Sequence, residues 1–93
     1  MNTKMFTEII TAEYLEEYKL HVVFNNGKQM IVDFYDLLFK HNYPVFLPLR
    51  DMECFRNFKI TDTIEWENGS IDIAPETVYE MGKPLENDIV AEP

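Results

Sequence analysis

Residues 19–34 read KLHVVFNNGKQMIVDF, two apolar runs set about an Asn-Asn-Gly. Apolar runs rich in β-branched and aromatic residues on either side of turn residues signal a β-hairpin. Its register follows from which apolar side chains share a face, because a slip of one residue turns every side chain over. A two-residue turn at Asn26-Gly27 sets Phe24 opposite Gln29 and Leu20 opposite Asp33, mixing apolar with polar. A three-residue loop, Asn25-Asn26-Gly27, sets Val22 opposite Met30 and Leu20 opposite Val32. It also sets Lys19 opposite Asp33, an opposite-charge pair. The expectation is therefore a type I turn with Gly27 left-handed in a G1 bulge, and Leu20, Val22, Phe24, Met30 and Val32 facing the core.

A second hairpin lies within residues 59–74. In TIEWENGSIDIA a two-residue loop at Asn68-Gly69 pairs Trp66 with Ile71 and Ile64 with Ile73. All four then share a face, so a type I′ turn with both central residues at positive φ is expected here. The opposite face gathers Glu65, Glu67 and Asp72.

Outward from the hairpins, residues 5–13 read as a first strand, and Ala12–Tyr18 suits a helical turn or a loop. FYDLLFKH (34–41) suits a short helix with Asp33 as its N-cap, ended by Asn42 and Pro44. NYPVFLP (42–48) reads as a loop anchored by Phe46. LRDMECFRNF (49–58) reads as a second helix capped by Asp51, with Met52, Phe55 and Phe58 near helical spacing. APETVYEMG (74–82) reads as a last helix, with Pro75 at its first position and Gly82 closing it. The predicted fold is α+β: a small curved antiparallel sheet built from two hairpins plus an N-terminal strand, with two or three short helices. Residues 1–82 form the domain; residues 83–93, KPLENDIVAEP, are expected to be a flexible acidic tail beginning near Gly82.

The chain has 93 residues, 46% of them hydrophobic, enough for one domain of modest stability, about 5–10 kcal/mol. Its formal net charge of −9 repels phosphate backbones and anionic membrane and attracts basic proteins. Nucleic-acid binding by this chain alone and membrane docking are therefore not expected. Cys54 is the one cysteine, so no internal disulfide is possible. The opening residues lack the apolar stretch of a signal peptide, and a cytoplasmic location is expected.

For chemistry, His21, His41 and Cys54 show no metal-ligand spacing, and the three glycines form no phosphate-cradling loop. No cofactor, metal or catalytic residue is expected, and Cys54 reads as a small buried hydrophobe. Glu65 opposite Asp72 is the one arrangement that resembles an acidic dyad or a hard-cation site. Lys59, Arg50 or Arg56 would neutralise it, and Asp72 could instead accept the free N–H groups of the last helix. Thirteen aromatic residues exceed what so small a core holds. Tyr35, Phe39 and Tyr43, crowded in one short segment, are the first candidates for a protein-binding patch, with Glu65 and Asp72 as acidic companions.

The hairpin LHVVFNNGKQMIVDF, the segment FLPLRDMECF and the ending IEWENGSIDIAPETVYEMG together resemble an uncharacterised bacterial family, domain of unknown function 2442. The resemblance covers about residues 9–82. It implies a small α+β fold with a curved antiparallel sheet. Some relatives are similar to an N-terminal domain followed by a helix-turn-helix module; that module, and its DNA binding, is not carried to this chain. Members are often encoded beside another small protein, similar to toxin–antitoxin pairs, which implies a protein-binding or antitoxin-like role with a basic partner encoded nearby. The family offers no catalytic residues to transfer, and Glu65 stands where it leads one to expect an apolar residue. Two other readings remain: a small acidic-site enzyme or metal-dependent hydrolase using Glu65, Asp72 and Asp33, and a homodimeric structural subunit joined through an unpaired edge strand.

Overall fold

A computed structural model describes residues 6–85. Its strands are β1 (Ile9–Glu16), β2 (Lys19–Phe24), β3 (Gln29–Asp33), β4 (Lys59–Ile60), β5 (Ile64–Trp66), β6 (Ile71–Ile73) and β7 (Gly82–Pro84). The α-helices are α1 (Tyr35–Phe39), α2 (Met52–Arg56) and α3 (Pro75–Met81), with a 3-10 helix at Pro44–Arg50. The fold is α+β as expected, and the two hairpins seed separate antiparallel sheets. One sheet has the order β1-β2-β3-β7 and the other β4-β5-β6. Their inward side chains, among them Leu20, Val22, Phe24 and Val32 from the first and Ile64, Trp66, Ile71 and Ile73 from the second, join one buried cluster.

The first hairpin has the register its patterning requires: Lys19 opposite Asp33, Leu20 opposite Val32, Val22 opposite Met30. Gly27 sits at φ +88°, and its amide donates to the Phe24 carbonyl at 2.9 Å. Both asparagines of the loop have work outside it. Asn25 Nδ2 donates to the Phe6 carbonyl at 2.6 Å, and its Oδ1 accepts from the Glu8 amide at 3.1 Å, which pins the approach to β1. Asn26 Nδ2 donates to the Tyr79 hydroxyl at 3.1 Å, tying the turn to α3. No atom lies within 4 Å of where a Cβ on Gly27 would stand. Gly27→Ala should therefore cost only the conformational penalty, about 1 kcal/mol, read as a small fall in melting temperature. A variant as stable as wild type would contradict the left-handed assignment.

The second hairpin also keeps its register, with Trp66 opposite Ile71 and Ile64 opposite Ile73. Asn68 (φ 57°) and Gly69 (φ 88°) are both left-handed as a type I′ turn requires. Glu67 is left-handed too, at φ 52°, which the sequence did not signal. Its carbonyl accepts from both the Ser70 amide and the Ser70 hydroxyl.

Several expectations need correction. The segment 14–16 is neither helix nor loop: β1 runs to Glu16, because pairing with β2 outweighs the local helical preference of Ala, Leu and Glu. Pro44–Arg50 is a 3-10 helix, and its buried anchor is Leu49, with Phe46 only half-buried. The residue before α1 is Phe34, but Asp33 Oδ1 accepts from the Tyr35 amide at 3.0 Å and so satisfies a first-turn donor. Asp51 caps α2 through the Cys54 amide. Gly82 follows α3 in an extended conformation (φ −81°, ψ 159°) and opens β7, which pairs with β3. The chain is thus still ordered in a sheet at the position where a tail was expected to begin; residues 86–93 lie outside the described residues.

Candidate functional site

Helix α1 is five residues long, and of these Leu38 is buried. A helix this short has one narrow buried stripe, so Tyr35 and Phe39, one turn apart, stand on the outside together. Their rings stack with centroids 4.7 Å apart. Tyr35 is 48% exposed, Phe39 37% and Tyr43 47%. Val45 and Leu47 of the 3-10 helix are also largely exposed. Exposed apolar groups gathered in one segment, unlike scattered ones, mark interaction surfaces.

Two residues distant in sequence hold this surface in shape. Tyr18, in the β1–β2 turn, sets its ring edge-on to Phe39 at 5.2 Å and near Tyr35 at 6.3 Å. Its hydroxyl donates to the Arg50 carbonyl. Burial, with the Asp51 carboxylate nearby, pushes the Tyr18 phenol above its ordinary range, so it stays a neutral donor. Arg50 donates from Nε to the Leu38 carbonyl at 2.6 Å, closing the end of α1. Its Nη2 donates to the His41 carbonyl and to Asn42 Oδ1, both at 3.3 Å. The guanidinium carbon stands 5.2 Å from the Phe39 ring centroid, a cation–π contact. Beyond it Tyr43 stacks on His41 at 5.0 Å. The exposed rings are therefore held by a network of hydrogen bonds and stacking.

An acidic margin borders the same helix. Asp33 and Asp36 line a cleft of about 330 Å³ with Leu37, His41, Thr77 and Met81. Lys40 pairs with Asp36 at 3.6 Å on the exposed face, a contact of little energetic weight.

The second group of sequence candidates lies on the smaller sheet. Glu65 does face Asp72 across β5 and β6, and Lys59 faces Glu65 from β4. The row across the strands is thus Lys-Glu-Asp, and the Thr61 hydroxyl donates to Glu65 Oε2 at 3.0 Å. Glu65 borders a cleft of about 150 Å³ with Asn57, Lys59, Glu67, Asn68 and Gly69, from which Asp72 is absent. Asp72 does not cap α3, whose N-cap position, Ala74, makes no side-chain bond. Among the described residues no three His, Cys, Asp or Glu side chains are placed to hold a metal ion. Cys54, expected to be buried, is half-exposed, and its thiol donates to Glu67 Oε2 at 3.6 Å. Desolvation raises the thiol above its ordinary value, and the Glu67 hydrogen bond and charge add to this, which keeps it protonated at neutral pH.

Tyr35, Phe39 and Tyr43 thus share one surface segment, whereas Glu65 and Asp72 belong to another sheet. Sequence reasoning missed Tyr18 and Arg50, the residues that fix the surface. The Leu-Arg-Asp between the 3-10 helix and α2 gave no local sign that the arginine folds back onto α1.

Fold and surface together define a small α+β domain of two packed antiparallel sheets with an exposed aromatic segment between them in sequence. The chain belongs to the family described as Protein of unknown function (DUF2442), whose model matches residues 9–84. No curated protein and no solved structure matches the chain. No helix among the described residues is long and apolar enough to cross a membrane.

Proposed function

We propose that this chain is a binding module for a basic protein partner, in the manner of an antitoxin that holds a small companion protein. The observation that carries the reading is the stacked, outward-facing Tyr35–Phe39 pair, braced by Arg50 and Tyr18. Rings already held in place lose little freedom on docking, so more of their contact energy remains as affinity. Tyr and Phe anchors surrounded by a polar margin are the usual make-up of an interface centre. The net charge of −9, with Asp33 just before α1 and Asp36 in its first turn, favours a partner of opposite sign.

The test separates binding from stability. Immobilised wild-type protein is used to capture proteins from a native lysate of the source cells, alongside Tyr35→Ala and Phe39→Ala. A basic protein held by wild type should be held at least about 30-fold less tightly by either variant, a loss of about 2 kcal/mol. Tyr35→Ala should melt close to wild type, because its ring is half in water. Phe39→Ala should lose a few degrees, since Arg50 and Tyr18 lean on it. Raising salt should slow association more than it speeds dissociation. Equal capture by wild type and both variants would overturn the reading, as would a chain that captures only itself.

A further inference from the structure

Strand β1 forms one margin of the larger sheet, and among the described residues no strand pairs with its outer edge. We infer that this edge takes up a short, extended, basic segment of the partner as an added strand, an inference that rests on the binding-module reading and gives its mode of recognition.

The geometry follows from the ladder. The Phe24 amide donates to the Lys28 carbonyl, which turns Phe24 toward β3 and away from β1. Alternation in an antiparallel pair then turns Val23 and His21 toward β1. Their partners are Thr11 and Glu13. Ala12 and Tyr14, between and beyond these, therefore direct their N–H and C=O groups outward. The start of the edge is already used, since the Ile9 amide donates to the Asp62 carbonyl at 3.1 Å. The register shifts beside Ile10 and Leu15, and both residues are exposed, at 51% and 43%. Such bulges bend an edge and limit pairing to the stretch between them. What remains is a docking length from Thr11 to Tyr14, flanked by two exposed apolar side chains.

Charge selects the occupant. Residues 6–18 contain Glu8, Glu13, Glu16 and Glu17, all exposed, and no lysine or arginine. Among the described residues the neighbouring basic side chains are Lys19, 3.6 Å from Glu16, and Arg56, over the Tyr14 ring at 4.9 Å, with the His21 imidazole 4.0 Å from Glu13. The margin stays acidic after these are counted. A second copy of the chain would set like charges against each other across the new pair, which disfavours self-pairing. A basic strand would gain main-chain hydrogen bonds from the edge and attraction from the glutamates. The edge leads into the β1–β2 turn, where Tyr18 meets Phe39 and Tyr35, so one partner segment running along β1 would reach the aromatic surface.

Amide hydrogen exchange on the full, isotope-labelled chain tests this. The probe is a short peptide of alternating lysine and valine, with an alternating glutamate and valine peptide as control. In the free protein Ala12 and Tyr14 should exchange fast and Thr11 and Glu13 slowly. The lysine peptide should slow Ala12 and Tyr14 at least about tenfold, and the glutamate peptide should not. Ala12→Pro removes an outward amide and no ladder bond, so it should fold normally and abolish the effect. Slow exchange at Ala12 and Tyr14 in the free protein overturns the inference, as does a lysine peptide that perturbs nothing. Perturbation confined to Tyr35–Leu47 overturns strand addition while leaving the binding module standing. Loss of the module reading itself would show separately, as capture indifferent to Tyr35→Ala and Phe39→Ala.

Discussion

Trp66→Ala should lower the stability of this domain by about 3–5 kcal/mol, the largest effect of any single truncation considered. Trp66 is 1% exposed on the inward face of β5. Its ring lies near-parallel to Phe55 at 6.0 Å and edge-on to Phe34 at 6.1 Å, joining the smaller sheet to α2 and to the end of β3. Its Nε1 donates to the Phe55 carbonyl at 2.8 Å, a bond buried from water. Alanine would open a cavity the size of an indole and leave that carbonyl without its donor. For a domain whose whole stability is about 5–10 kcal/mol, the melting temperature should fall by roughly 15–30 °C, measured by circular dichroism. Trp66→Phe keeps most of the volume and loses the hydrogen bond, so it should cost about 1–2 kcal/mol. A fall of only a few degrees for Trp66→Ala would mean that the two sheets are not held together through this ring.

What the sequence reveals and what it hides divide along a physical line. The first hairpin was legible because one of its faces is wholly buried: Leu20, Val22 and Val32 are at 0% exposure, so only one register satisfies them. The second was legible in register for the same reason, through Ile64, Trp66, Ile71 and Ile73. The left-handed Glu67 was not, because glutamate carries no turn signature and its side chain is engaged by Cys54, from a different element. The last residues of β1 were misread since glutamate, leucine and alanine favour helix locally, and only the partner strand β2 makes them extended. Tyr35, Phe39 and Tyr43 could be picked out by crowding alone, for one short segment cannot turn all three rings inward. Tyr18 and Arg50 could not, because their roles rest on tertiary contacts: the Tyr18 hydroxyl reaches the Arg50 carbonyl 32 residues on, and the Arg50 guanidinium reaches back 12 residues to the Leu38 carbonyl.

β7 was the least legible element, and it carries the second large prediction. Gly82 follows a helix, where a glycine usually supplies a left-handed cap. Here its φ is −81°, a value open to any residue, so the reason for glycine lies in space and not in backbone freedom. Gly82 pairs with Val32 on β3. A Cβ at this position would stand 2.8 Å from Met30 Sδ, 2.9 Å from Met30 Cβ and 3.2 Å from Val32 Cγ2. The sulfur can swing aside, but Met30 Cβ is fixed to the backbone of β3, and Val32 is fully buried. Relief must therefore come from moving β7 away from the sheet. Gly82→Ala should cost about 2–3 kcal/mol, near the upper end for overpacking, and lower the melting temperature by roughly 10–20 °C. The Leu85 amide, which donates to the Gln29 carbonyl at 3.2 Å, should lose its protection against hydrogen exchange in the same variant. Adding Met30→Ala removes the sulfur and leaves the Cβ, so the double variant should recover only part of the loss, a coupling that a mutant cycle measures. If Gly82→Ala melts like wild type with Leu85 still protected, β7 does not pack against β3 as closely as Gly82 now allows.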